Sequence, residues 1–230
     1  MASLGLASAT HRARRAIDRG LSQMATGNLR GALESFEQAT LADPGNAVAW
    51  VDLATVQEAL GDPKAALRSA NRALQIAPDF PPALVLKAIG LSRLGKIPQA
   101  LEILNQALAV APGNETAWLN KGVLLARDDR IEEAARCYAK AIEIDDGYSL
   151  AWMNLGSALF ALGKHAEASE CYGNVTRLRP EAAEPWFFRA RARLAANDRQ
   201  GAQADIARAL ALRQDFPEAL RLSAALGGSA

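Results

Sequence analysis

Apolar and small residues between Trp152 and Pro180 fall on two helical faces. Leu155, Gly156 and Leu159 follow Trp152 at the steps that share one side of an α-helix, and beyond Gly163 a second face resumes with Ala168, Tyr172 and Val175. Pro180 then stops the second helix, because the residue before a proline avoids helical backbone. The pattern recurs along the chain. Trp50, Trp118, Trp152 and Trp186 lie 68, 34 and 34 residues apart, Leu84 fills the position between the first two, and Ala16 stands one period before Trp50. Sixteen residues beyond each of these six slots is an alanine: Ala32, Ala66, Ala100, Ala134, Ala168 and Ala202. A period of about 34 residues holding two helical faces predicts a stack of helix pairs.

The punctuation agrees with that reading. Pro44, Pro78, Pro112 and Pro180 each follow a second helix; Asn46 and Asn114 stand where a first helix needs a cap; Asp62 and Pro63 offer a cap and a first-turn proline to a second helix. Gly122, Gly156, Ala134 and Ala168 let paired helices approach while Trp118, Trp152, Tyr138 and Tyr172 fill the space beside them.

The string Trp152-x2-Leu155-Gly156-x2-Leu159, then Ala168-x3-Tyr172, then Pro180, resembles the tetratricopeptide repeat, whose pattern has Tyr in place of Leu159 and Phe in place of Tyr172. The resemblance covers six repeats over residues 13–216. It implies an all-α fold, a right-handed α-solenoid of six helix-turn-helix repeats, preceded by a lead-in at 1–12 and followed at 217–230 by a capping helix and short tail. Leu220 and Ala224 take the Trp and Gly slots of that helix. Departures are local. Asp146 and Gln214 replace the terminal proline, Ala70 replaces the bulky second-helix residue and predicts looser packing in repeat two, and repeat one lacks its tryptophan as a solvent-facing terminal repeat would.

In this family the first helices line a concave surface that holds an extended peptide or a partner protein, so the resemblance implies a non-catalytic interaction scaffold. One position beyond each slot gives Ile17, Val51, Val85, Leu119, Met153 and Phe187, an unbroken apolar stripe of the kind that marks an interaction site. Two positions beyond gives Asp18, Asp52, Leu86, Asn120, Asn154 and Phe188, and five positions beyond gives Ile89, Val123, Ser157 and Arg191 among others. Asn120 and Asn154 resemble the asparagine ladder of repeat domains attached to sugar transferases, where an amide supplies both donor and acceptor to a peptide backbone. That likeness implies an alternative: a substrate-presenting module for a separately encoded enzyme such as a glycosyltransferase. Arg93, Arg127 and Arg191 suit an acidic ligand side chain, or else lay their stems along neighbouring helices. The carboxylate-capture pattern of the family, Lys one place after the slot and Asn five places after, is missing throughout.

Composition narrows the function classes. A formal net charge of +1 gives no general attraction to nucleic acid or anionic membranes. Residues 173–230 carry nine Arg against six acids, but the neutral, aliphatic stripe argues against an RNA reader. Half of the residues are hydrophobic, yet no apolar run approaches the roughly 18 residues of a membrane span, and the opening MASLGLASAT has too short an apolar stretch, with its basic residues after it, for a secretory signal, so a cytoplasmic protein without membrane insertion is expected. His11 and His165 lack a nucleophile or metal partner in the repeat, and the acids Asp128, Asp129, Glu132 and Glu133 flank one inter-helix turn. Cys137 and Cys171, one period apart on second helices about 8–10 Å from each other, are out of disulfide reach. The reading is no catalysis, no metal and no small-molecule cofactor.

Overall fold

The computed structural model describes residues 2–227. Among them are thirteen α-helices and no strand: α1 (Ala2–Ala25), α2 (Leu29–Ala42), α3 (Ala47–Ala59), α4 (Pro63–Ile76), α5 (Pro81–Arg93), α6 (Ile97–Val110), α7 (Glu115–Arg127), α8 (Ile131–Ile144), α9 (Ser149–Ala161), α10 (His165–Leu178), α11 (Ala183–Ala195), α12 (Arg199–Leu212) and α13 (Pro217–Gly227). This is an all-α repeat solenoid fold in two compact units, Met1–Asn120 and Lys121–Ala230. The lead-in expected at 1–12 runs into α1, which begins at Ala2. The tail at 228–230 lies outside the described residues.

Each repeat turns from its first to its second helix through one residue with left-handed backbone, eleven positions past the slot. Glycine serves in four repeats (Gly27, Gly61, Gly95 and Gly163, φ 75–78°), and Asp129 (φ 59°) and Asn197 (φ 65°) serve in the other two. Asp and Asn are the non-glycine residues that tolerate this region best. Asp129 therefore has a backbone role, and its acidic neighbours are matched by Arg130, which pairs with Glu133 at 2.6 Å and with Asp128 at 3.8 Å.

Helix starts follow the capping chemistry. Asn46 accepts from the backbone of Val48 and Ala49, Asn114 from Ala117 and Asp62 from Ala65, and Asn28 and Asp198 cap α2 and α12 in the same manner. Second helices end two residues before the proline position whether or not a proline is present, since α8 and α12 stop likewise ahead of Asp146 and Gln214. The indoles tie successive repeats together. Trp50, Trp118, Trp152 and Trp186 donate Nε1–H to the carbonyls of Pro44, Pro112, Asp146 and Pro180, at 3.0, 2.8, 2.8 and 3.2 Å.

Inside five of the six helix pairs, size is traded across the interface. A Cβ placed on Gly20, Gly122 or Gly156 would lie 2.6, 2.5 or 2.8 Å from the ring of Phe36, Tyr138 or Tyr172. Where the same first-helix position is Ala54, Ala88 or Ala190, the second-helix partner position is Ala70, Leu104 or Ile206, and all six are buried. In repeat two both positions are alanine and neither is exposed to solvent. Seven positions past the slot, Gln23 and Gln57 bond Ser35 and Ser69 on the second helix, both at 2.7 Å, and Arg193 bonds Asp205 at 2.9 Å. The three central repeats put apolar couples at these offsets: Leu91 and Ile103, Leu125 and Cys137, Leu159 and Cys171, all buried.

The C-terminal helix α13 buries Ala219 and Leu226 against the cluster formed by Phe187, Ile206 and Phe216 of repeat six. Arg199 donates to the Leu226 carbonyl at 2.7 Å. Cys137 and Cys171 are free and buried, and burial raises both thiols, Cys171 to about 12.

Candidate functional site

The face expected to bind consists of first-helix positions one, two, five and nine beyond each slot, and burial divides it. Val85, Leu119 and Phe187 are buried packing residues, so the apolar stripe is not continuous at the surface. Phe187 packs its ring against Phe188 and Phe216, with centroids 5.5 and 4.9 Å away. These three leave the candidate site. Val51, Asp52, Ile89, Asn120, Val123, Met153, Asn154 and Phe188 are half-buried, and Ser157, Arg93, Arg127 and Arg191 are exposed.

The polar candidates are tied to different degrees. Asn120 spends its amide on its own helix, donating Nδ2–H to the Thr116 carbonyl at 2.8 Å, which removes one donor from any ladder. Arg93 pairs with Glu58 through Nε at 2.8 Å. Asp52, in the first compact unit, has its carboxyl pushed up to about 6 by burial. A folded pKa above the unfolded value means that the folded state holds its proton more tightly. Its contribution to stability is therefore complete below about pH 4 and is lost as pH rises through about 6. Melting followed from pH 4 to pH 7 should fall more for the native chain than for Asp52→Asn, whose amide does not titrate; parallel curves would show that Asp52 is solvated.

In the second compact unit, α9 places Leu150, Met153, Asn154 and Ser157 at i, i+3, i+4 and i+7 on one helical face, with Leu150 and Ser157 exposed and the two between them half-buried. Leu150 is 51% exposed. Met153 and Leu150 border a recess of about 240 Å³ with Val175, Arg179 and Pro185. Farther along the same helix, Ser157 and Phe160 join Tyr172, Phe188 and Arg191 around a smaller recess of about 120 Å³. Its walls are fixed by specific contacts. Ser157 Oγ and Tyr172 Oη share a hydrogen bond of 3.1 Å, the Tyr172 and Phe188 rings stack at 5.7 Å, and the Arg191 guanidinium lies 5.2 Å from the Phe160 centroid. Stacking of this kind orients a cation while leaving its edge donors available to a ligand.

Leu150, Phe160 and Tyr172 were not among the residues expected from sequence. The first two lie two positions before and eight positions after the slot, so reading those offsets would have found them. His165 is half-buried against Phe160, with ring centroids 4.8 Å apart. Among the described residues no group of His, Cys, Asp and Glu could hold a metal ion, and no helix is long and apolar enough to cross a membrane.

Comparison with known proteins agrees with the fold. No curated protein matches the sequence. The folds of PilF from Pseudomonas aeruginosa (TM-score 0.79, 18% identity, 95% of this chain and 99% of that one) and of PilW, a type IV pilus biogenesis factor (0.80, 21%, 91% and 97%), are similar. So is that of YrrB, a tetratricopeptide protein with an unusual peptide-binding site (0.64, 18%, 83% and 98%). Tetratricopeptide repeat models match residues 17–81, 85–149 and 149–182, which is more than half of the sequence. With the slot, the left-handed turn and the small-to-large interface recurring along the helix pairs, the chain belongs to the tetratricopeptide repeat family.

Proposed function

We propose that this protein is a non-catalytic scaffold that binds an extended peptide or a peptide-like segment of a partner protein on the open first-helix face of its second compact unit. Tetratricopeptide folds mediate protein–protein interaction, and the peptide-binding site of the similarly folded YrrB supports the narrower reading. The observation that carries it is the face of α9. Leu150 and Ser157 are exposed there, Met153 and Asn154 half-buried between them, and they lead to the aromatic and cationic recess at Phe160, Phe188 and Arg191. Apolar side chains of a ligand meet Leu150 and Met153, while Asn154, Ser157 and Arg191 supply the polar contacts that fix its register.

The alternative of a substrate-presenting module for a glycosyltransferase draws no support from Asn120, whose amide is bonded within α7.

Peptides selected from a displayed library against the native chain should lose about tenfold or more in affinity to Met153→Glu or Leu150→Glu, since each places a charge on an apolar contact. Melting should be unchanged in Leu150→Glu, whose position is exposed, and lower in Met153→Glu, because Met153 also packs against the cluster of Leu159 and Tyr172; Val110→Glu, at an exposed position on α6, should bind normally. Normal affinity in both glutamate variants at this face would defeat the proposal.

A further inference from the structure

We infer that the recess between α1 and α2 is an open indole site, which takes an aromatic side chain from an acidic segment of a partner protein. The tryptophan slot shows what this wall is shaped to hold. In repeat six the Trp186 ring has the Arg189 guanidinium 4.7 Å from its centroid and that of Arg208 at 5.8 Å, three and twenty-two positions beyond the slot. In repeat five Trp152 stands beside Asn174, Arg177 and Leu178, at offsets of twenty-two, twenty-five and twenty-six, and the space remaining is about 210 Å³.

Repeat one retains this wall and lacks the indole. Gln38, Leu41 and Ala42 take the same three offsets and Arg19 the position of Arg189, but the slot residue is Ala16, and the recess opens to about 470 Å³. Arg19 is already oriented, donating Nε–H to Ser35 Oγ at 2.9 Å and Nη2–H to Gln38 Oε1 at 2.5 Å, much as Asp205 and Thr176 orient Arg189 under Trp186. A ring entering here would meet a guanidinium fixed for cation–π contact.

Charge decides what flanks that ring. The lining residues include Arg12, Arg15 and Arg19 and no carboxylate. Leu41, 81% exposed, adds apolar area at the rim. An aromatic residue between Asp and Glu residues complements both the shape and the sign of this surface, whereas a basic or uncharged segment matches only its shape. The site lies in the first compact unit and is independent of the peptide face proposed above.

The test uses a fluorescently labelled heptapeptide with one Trp flanked by Asp and Glu, titrated into the full chain by polarisation. Saturable binding should weaken about tenfold or more when the peptide Trp becomes Ala, when its acids become Asn and Gln, or when the protein carries Ala16→Trp. Ala16→Trp fills the recess with the chain's own repeat residue, so its melting temperature should be equal or higher. Arg15→Glu leaves the recess open and should weaken binding to a similar degree, which keeps the outcome interpretable if Ala16→Trp packs poorly. The assignment is overturned by no binding to the native chain, by native affinity in both protein variants, or by no preference for Trp over Ala in the peptide. Sedimentation in which the native chain self-associates and Ala16→Trp does not would give the recess to a second copy and would equally overturn it.

Discussion

Asp205→Ala is expected to destabilise the C-terminal repeat by about 3–5 kcal/mol, the cost of removing one partner from a buried ion pair. Asp205 is 2% exposed and holds two guanidinium groups. Arg189 meets it through Nε at 2.8 Å and Nη2 at 2.5 Å, and Arg193 through Nη1 at 2.9 Å. Arg189 also donates to Thr176 on α10, so the carboxylate connects three helices. Without it, two cations are left in a partly buried site with their nearest counter-charge at Asp198, 3.6 Å from Arg193. Because each repeat is stabilised mainly by its neighbours, the loss should be local. Hydrogen exchange should accelerate across α11–α13 and remain as in the native chain across α1–α6; uniform acceleration would contradict a local role.

The same cluster also shows that charge is one of two solutions to this interface. At the offsets held in repeat six by Arg189, Arg193 and Asp205, repeat five holds Leu155, Leu159 and Cys171. Moving that apolar trio into repeat six removes all three charges together and leaves no orphan. Buried ion pairs replaced whole by apolar groups are often neutral or stabilising, so the triple variant should recover most of what Asp205→Ala loses.

The repeat period was legible because tryptophan is rare and the alanine sixteen residues on never varies. Helix ends were legible because proline and the Asn and Asp caps act on the adjacent backbone. The left-handed turn was hidden in two repeats, where Asp129 and Asn197 replace the glycine that would have announced it. The polar couples Gln23–Ser35, Gln57–Ser69 and Arg193–Asp205 were missed because each joins two helices, and no single-helix periodicity reports a pairing twelve residues away. The candidate face was misjudged for a related reason. A position one residue past the slot is turned about 100° from it, at the margin between the packed and open sides of the helix. Neighbouring side chains then decide the outcome: Phe216 covers Phe187, while Met153 keeps part of its surface beside an open recess.

The trade of size between Gly156 and Tyr172 leads to a change of sign. Gly156→Ala should raise helix propensity by up to about 1 kcal/mol, because glycine is the costlier residue in a helix interior. The added Cβ, however, would lie 2.8 Å from Tyr172, whose ring is held by the Ser157 hydroxyl and by stacking on Phe188 and cannot easily retreat. Overpacking of this kind costs about 1–3 kcal/mol, so the single variant should be less stable than the native chain by roughly 1–2 kcal/mol. Tyr172→Leu alone should also destabilise, through the cavity it leaves. Combining the two recreates the arrangement of repeat three, where Ala88 faces the position of Leu104. In that background Gly156→Ala should stabilise, and the coupling between the sites should reach about 2 kcal/mol or more. Urea denaturation of the four proteins in this cycle measures it. If Gly156→Ala costs the same in the Tyr172→Leu background as beside the native ring, the glycine is not there to admit the aromatic side chain, and the size trade between the helices is coincidental.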